Sequence, residues 1–94
     1  TQSGLEFRAA MADCCLCHHE RWDGTGYPLG LAGESIPYLA RLVAIADAYE
    51  AMTAGRPYQK AISRQQALQT ISEGAGNQFD PILAGLFCGA QRNA

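Results

Sequence analysis

The chain has 94 residues, of which 48% are hydrophobic and 17% are charged, and its formal net charge at pH 7 is -2. This composition indicates one small globular domain rather than a disordered segment. It excludes the strongly basic surface with which proteins bind duplex nucleic acid or anionic lipid, so neither duplex nucleic acid nor a membrane is an expected partner.

The first predicted helix covers residues 5–19, which are rich in alanine, leucine and cysteine and contain neither proline nor glycine. It would deliver His18 and His19 at its C-terminal end. Glycines and prolines then recur up to residue 37 and predict an irregular loop of about fifteen residues. Ordered loops of this length in small domains often carry function.

Three further helices are predicted after the loop. Residues 37–54 begin with a proline and space their apolar side chains as one face of a helix. Ser63 and Gln66 form a capping-box pattern that starts a helix reaching about residue 73. Asp80 and Pro81 are typical of the start of a last helix. No segment predicts a strand convincingly, so the expected fold is all-α with about four helices.

The longest nearly apolar stretch, residues 39–52, contains three charged side chains and is shorter than the roughly 20 apolar residues that span a membrane. The N-terminus has no basic segment followed by an apolar one, as a secretory leader would have. We therefore expect a cytoplasmic protein.

Four cysteines are present, three of them close together at Cys14, Cys15 and Cys17 and one distant at Cys88. This spacing does not resemble a disulfide framework, which predicts free thiols. A structural zinc site made of the cysteine cluster and the adjacent histidines is an alternative, although its spacing is poor for such a site.

The most unusual segment is His18-His19-Glu20-Arg21-Trp22-Asp23-Gly24-Thr25-Gly26-Tyr27-Pro28, which holds the only two histidines of the chain. Imidazole is the commonest metal ligand among side chains. Consecutive helical side chains point about 100° apart, so His18 and His19 on a helix would favour two neighbouring ions over chelation of one.

Asp47 is a third candidate ligand, because it lies in the apolar run of the second long helix. A buried carboxylate without a partner is costly, and a metal ion would remove that cost. Two simpler interpretations remain open: Asp47 could pair with Arg41, and the histidines could be structural.

Four motifs together resemble the C-terminal part of an HD-GYP domain, the branch of the HD metal-dependent phosphohydrolases that hydrolyses the bacterial messenger cyclic di-GMP. The motifs are the segment from His18 to Pro28, Ile45-Ala46-Asp47-Ala48-Tyr49-Glu50-Ala51-Met52-Thr53, Arg56-Pro57-Tyr58, and Gly74-Ala75-Gly76-Asn77-Gln78-Phe79-Asp80-Pro81. The resemblance covers residues 18–87. It implies that residues 1–94 are a single truncated domain with a partial HD-domain-like fold.

The resemblance also implies roles for particular residues. His18, His19 and Asp47 would be ligands of divalent metal ions such as Fe, Mn or Zn. Cyclic di-GMP or another phosphodiester would be the substrate. The residues implied to border or bind that substrate are Gly26, Tyr27, Pro28, Glu50, Arg56 and Lys60.

The chain departs from the family pattern in ways that bear on activity. The His-Asp pair, which lies upstream of the adjacent histidines in the family, is absent from these residues. Glu50 stands where the family usually has Asp, Gly55 also replaces an Asp, and Gln59 replaces a basic residue, with Lys60 one position later. Three ligands are few for a dinuclear site, so we expect no hydrolysis by this chain alone.

Two hypotheses follow. The first is a phosphodiesterase fragment that needs the upstream helices from a longer chain or from another subunit. The second is a noncatalytic helical interaction module that forms homo-oligomers through an apolar face left uncovered on the helix of residues 37–54.

Overall fold

The computed structural model describes residues 2–92, without the side chains of Gln2, Ser3 and Ala10. Over this range the chain forms α-helices and three isolated β-bridges but no strand, as the sequence predicts. The predicted domain limits, Thr1 and Ala94, lie outside the described residues, as does Asn93. The four α-helices of the described range are α1 (Gln2–Cys17), α2 (Tyr38–Ala54), α3 (Arg64–Glu73) and α4 (Pro81–Arg92), and a short 3-10 helix covers Gly33–Ser35.

The starts of α3 and α4 follow the predicted capping chemistry. The Ser63 hydroxyl accepts a hydrogen bond from the Gln66 amide at 3.1 Å, and the Gln66 side chain accepts one from the Ser63 amide. Asp80 Oδ1 accepts from the amides of Ile82 and Leu83, at 2.9 and 3.1 Å. These side chains satisfy amide groups that a helix N-terminus leaves without an intrahelical partner.

The first helix ends earlier than predicted, at Cys17 rather than at His19. The reason lies in the His18 ring, whose Nδ1 is 3.0 Å from the carbonyl oxygen of Cys15 and 3.3 Å from that of Cys14. A histidine that binds the last carbonyls of a helix caps its C-terminus. His18 and His19 therefore lie in the turn that follows α1, not on the helix itself.

The main hydrophobic core lies among α2, α3 and α4. α2 is the central helix, since it contacts each of the other three. Ile45 of α2 and Ile71 of α3 are fully buried, and Phe79 closes the core from the turn before α4. The buried members of the cluster are Ile45, Leu68, Ile71, Phe79, Leu83, Ala84 and Cys88.

A smaller buried cluster joins the end of α1 to the loop and to α2. It consists of Cys17, Ile36 and Ala40, with Leu31 packed against it. Burial raises the pKa of the Cys17 thiol. All four cysteines carry free thiols, as predicted. Among the side chains described, the cysteine cluster and the adjacent histidines form no group of three or more that could hold a metal ion, so the alternative of a structural zinc site is wrong.

Most of α1 is poorly covered. Its large apolar side chains Leu5, Phe7, Met11 and Leu16 are exposed, whereas α2 exposes only Tyr38 and Leu42 among its large apolar side chains. The uncovered apolar surface that the sequence placed on α2 is therefore found mainly on α1. Among the helices described, none is both long and apolar enough to cross a membrane.

Arg41 makes a partly buried bridge between α2 and the start of α4. Its Nη1 donates to Asp80 Oδ2 at 2.8 Å, and its Nε donates to the Ile36 carbonyl at 2.9 Å. Burial raises the pKa of Asp80, but the Leu83 amide and the Arg41 guanidinium outweigh this effect, and the net pKa is lowered. The alternative pairing of Arg41 with Asp47 is therefore wrong.

Candidate functional site

An open cleft of about 310 Å³ lies where the end of α1, the following loop and α2 meet. The histidine pair, Tyr27 and Asp47 all border it, so the fold brings together three predicted ligands and one predicted substrate-binding residue. The full lining consists of His18, His19, Glu20, Arg21, Tyr27, Ala44, Asp47, Ala48, Ala51 and Gln78.

The two imidazoles are close neighbours, with ring centroids 3.9 Å apart and planes inclined by 42°. The prediction that they point about 100° apart assumed that both lie on a helix, and it is wrong because α1 ends before them. A carbonyl oxygen can only accept, so in the neutral tautomer that fits this contact with Cys15 the proton is on His18 Nδ1 and Nε2 keeps a lone pair that can bind a metal ion.

His19 is held by the loop that returns over it. The Tyr27 ring stacks on the His19 ring, with centroids 4.9 Å apart and an interplanar angle of 17°. Gly26 makes this approach possible: a Cβ there would lie 2.5 Å from the carbonyl oxygen of His19 and from the amide of Arg21. Pro28 follows Tyr27 in a cis peptide bond at the exposed tip of the loop.

Glu20 is a site residue that the sequence reasoning missed. It is 4% exposed, and its carboxylate accepts hydrogen bonds from the amides of Leu29, Gly30 and Leu31. The signal for this role was an acidic residue directly before a loop rich in glycine and proline, whose amides have no regular structure to pair with.

The loop is also fastened to the turn before α4. The Trp22 amide donates to the Gln78 carbonyl at 3.1 Å, and the Asp23 amide donates to the Asn77 carbonyl at 2.8 Å. The Asp23 carboxylate turns back to accept from the hydroxyl and amide of Thr25, which lowers the pKa of that carboxyl. The first part of the loop thus has fixed backbone partners on a distant segment.

Asp47 reaches the cleft from α2 but is exposed. The argument that a buried carboxylate there requires a partner is therefore wrong, although its role as a ligand stays a prediction. Within residues 2–92, no group of three or more His, Cys, Asp or Glu side chains is arranged to hold a metal ion. The donor types fit a divalent metal, but these residues do not by themselves form a complete site.

The remaining predicted residues lie outside the lining of the cleft. Arg56 Nη2 donates to Glu50 Oε2 at 2.7 Å, and this exposed ion pair raises the pKa of Arg56, with a smaller contribution from Asp47. Lys60 is exposed in the connection between α2 and α3. Gly26 and Pro28 shape the loop rather than the cleft wall.

Comparisons with known proteins agree with this architecture. A family model described as HD domain matches residues 2–83. A cyclic di-GMP phosphodiesterase of Vibrio cholerae is 47% identical over 81 residues, which are 86% of this chain and 16% of that protein. A cyclic di-GMP phosphodiesterase of Pseudomonas aeruginosa is 51% identical over 73 residues, 78% of this chain and 17% of that protein.

A solved structure of a cyclic GMP-AMP specific phosphodiesterase from V. cholerae superposes with a TM-score of 0.78 at 28% sequence identity. The match covers 89% of this chain and 19% of the other. The chain thus spans less than a fifth of each of these three proteins.

Proposed function

Since the chain belongs to the HD-domain family, we propose that it supplies one wall of a metal-dependent phosphodiesterase site that acts on cyclic di-GMP. The observation that carries this proposal is the cleft that gathers His18, His19 and Asp47. Imidazole and carboxylate together suit Fe, Mn or Zn in open hydrolytic sites.

In this proposal His18, His19 and Asp47 hold divalent metal, which when bound supplies a Lewis acid and an activated water for phosphodiester hydrolysis. The bond from His18 Nδ1 to the Cys15 carbonyl fixes the orientation of that ring. The stacked Tyr27 ring restricts His19 in the same way. The protein thus presents both imidazoles in defined positions before any metal binds.

Cyclic di-GMP is the proposed substrate because relatives named as its phosphodiesterases are 46 to 51% identical to the chain. Arg56, assisted by Lys60, is the proposed phosphate contact. A guanidinium suits this role as a permanently charged fork of donors. Because Arg56 is bound to Glu50, a phosphate group has to displace that carboxylate to reach it.

A dinuclear hydrolytic site needs more ligands than the three provided here, so the proposed enzyme is completed by a segment outside these 94 residues or by another subunit. The chain alone is expected to bind metal weakly and to release no linear dinucleotide from cyclic di-GMP.

Metal binding by His18 tests the proposal directly. Elemental analysis after incubation with Mn²⁺ or Zn²⁺, together with a titration, compares the chain with His18→Ala. We expect affinity to fall at least about tenfold, the scale on which changes around metal ligands act. Cys15→Ser is the matched control, since it alters an exposed side chain three residues away but keeps the carbonyl that His18 binds. Equal metal content in the chain and in His18→Ala contradicts the proposed ligand role.

A second candidate function is a noncatalytic helical module that associates with a second copy of itself. The exposed Leu5, Phe7 and Leu16 of α1 favour it, since uncovered apolar surface promotes association. In this case the metal titration fails and the chain is a dimer or a higher oligomer in solution.

A further inference from the structure

Glu20, whose side chain is buried, borders the cleft directly beside His19. Both oxygens of Glu20 are used: Oε1 accepts from the Gly30 amide at 2.7 Å, and Oε2 accepts from the Leu31 amide at 3.1 Å and the Leu29 amide at 3.3 Å. Successive amides that converge in this way form an anion-binding concavity. Here the anion is part of the protein.

The loop amides that Glu20 binds lie close to Tyr27 in the sequence. They follow Tyr27 and Pro28 directly in the chain, while Glu20 directly follows His19. The hydrogen bonds of Glu20 therefore attach the loop after Tyr27. The close contact of Gly26 with the backbone of His19 and Glu20 attaches it before Tyr27. The Tyr27 ring lies between these two attachments and stacks on His19.

Ordinary core packing does not explain the use of a carboxylate here. A buried carboxylate is costly unless it is well paired, and an apolar side chain would fill the same space without that cost. Residues 29–31 have no helix or strand to satisfy their amides, so a charged acceptor holds them where an apolar side chain could not.

We propose that Glu20 is a positioning residue, whose carboxylate holds the loop so that Tyr27 stays stacked on His19 and fixes that imidazole at the cleft. That the positioned His19 binds metal rests on the proposed function. That Glu20 keeps Tyr27 stacked on His19 does not. Glu20 acts through the loop and does not contact substrate.

The test is Glu20→Gln, which keeps the size of the side chain but replaces one acceptor oxygen with an NH₂ donor that faces the loop amides. Hydrogen exchange followed by NMR should be accelerated at Gly30 and Leu31 by about tenfold or more, the scale of a lost charged hydrogen bond. The Tyr27 ring resonances should move as the ring leaves the His19 face. Glu20→Asp, which keeps the charge but retracts it by one methylene, should give intermediate exchange rates.

Ser63→Ala is the control, because the Ser63 hydroxyl also accepts a backbone amide but does so at the start of α3, away from the loop and from the turn that anchors it. It should reduce stability throughout α2–α4 while the Tyr27 resonances stay in place. Unchanged Gly30 exchange and unchanged Tyr27 resonances in Glu20→Gln overturn the proposal. The proposal is also overturned if the amide exchange rates rise evenly over the whole core in both Glu20 variants. None of these measurements needs metal, so a chain that binds no metal overturns the proposed function and leaves this inference standing.

Discussion

The N-terminal helix and the body formed by α2–α4 differ in how much of their apolar surface is covered. Phe7 of α1 is 67% exposed, whereas Ile71 of α3 is fully buried. Yet His18 and His19 are at the end of the poorly covered helix, at its junction with α2. The comparison separates two roles: the body supplies the core, whereas carbonyls of the last turn of α1 and the Tyr27 ring of the loop orient the histidines.

The largest effect is expected in the body, from Ile71→Ala. Loss of a fully buried branched side chain leaves a cavity, and such changes reduce the free energy of unfolding by roughly 2–5 kcal/mol. Urea denaturation followed by circular dichroism measures it. If Ile71→Ala lowered the free energy of unfolding no more than an exposed substitution in α1, the body would not be the source of stability.

A smaller effect, dependent on pH, is expected at the bridge between α2 and α4. Because the folded pKa of Asp80 is lowered, the stability it contributes is fully present above the pKa of the unfolded carboxyl, about 3.9. This contribution is lost as the pH falls through the folded pKa. Asp80→Asn should cost about 1–3 kcal/mol at pH 7.

The measurement is the melting temperature of both proteins at pH 7, 5 and 3. The difference between wild type and Asp80→Asn should narrow as the solution is acidified, because protonation neutralises the wild-type carboxylate. A difference that stays constant down to pH 3 would show that the ionised form of Asp80 does not stabilise the fold.

The smallest effect on folding is expected from Phe7→Ala in α1. Exposed substitutions usually change the free energy of unfolding by less than about 0.5 kcal/mol. If a second copy covers α1, the same change shifts the sedimentation of the chain toward the monomer. Tyr58→Ala, at a residue 84% exposed outside α1, is the control. A wild-type chain that stays monomeric at high concentration contradicts association through α1.

Much of the fold could be predicted because its determinants are local. The Ser63 capping box, the Asp80 cap and the apolar spacing of α2 each act within a few residues, and all were visible in the sequence. The end of α1 was missed because the His18 ring binds carbonyls of the last turn, a choice of side-chain conformation that composition does not reveal.

The site was predictable in its residue types but less so in its contacts. The fold brings His18, His19, Tyr27 and Asp47 from two of the motifs to one cleft, while their roles in binding metal and substrate stay predictions. Sequence proximity suggested Asp47 as an alternative partner of Arg41, which instead pairs with Asp80, 39 positions away. Asp47 is exposed although its neighbours in the sequence are apolar, because burial on a helix follows the face and not the run of residues.

Two backbone hydrogen bonds, from Trp22 to Gln78 and from Asp23 to Asn77, limit how far the protein can be shortened without disturbing the site. They attach the segment after the histidines to a turn more than fifty positions later. A shortened protein that kept α1, the loop and α2 would retain every predicted metal ligand and lose the acceptors that anchor the loop. The smallest unit that preserves the site therefore includes the turn before α4, although no predicted ligand lies there.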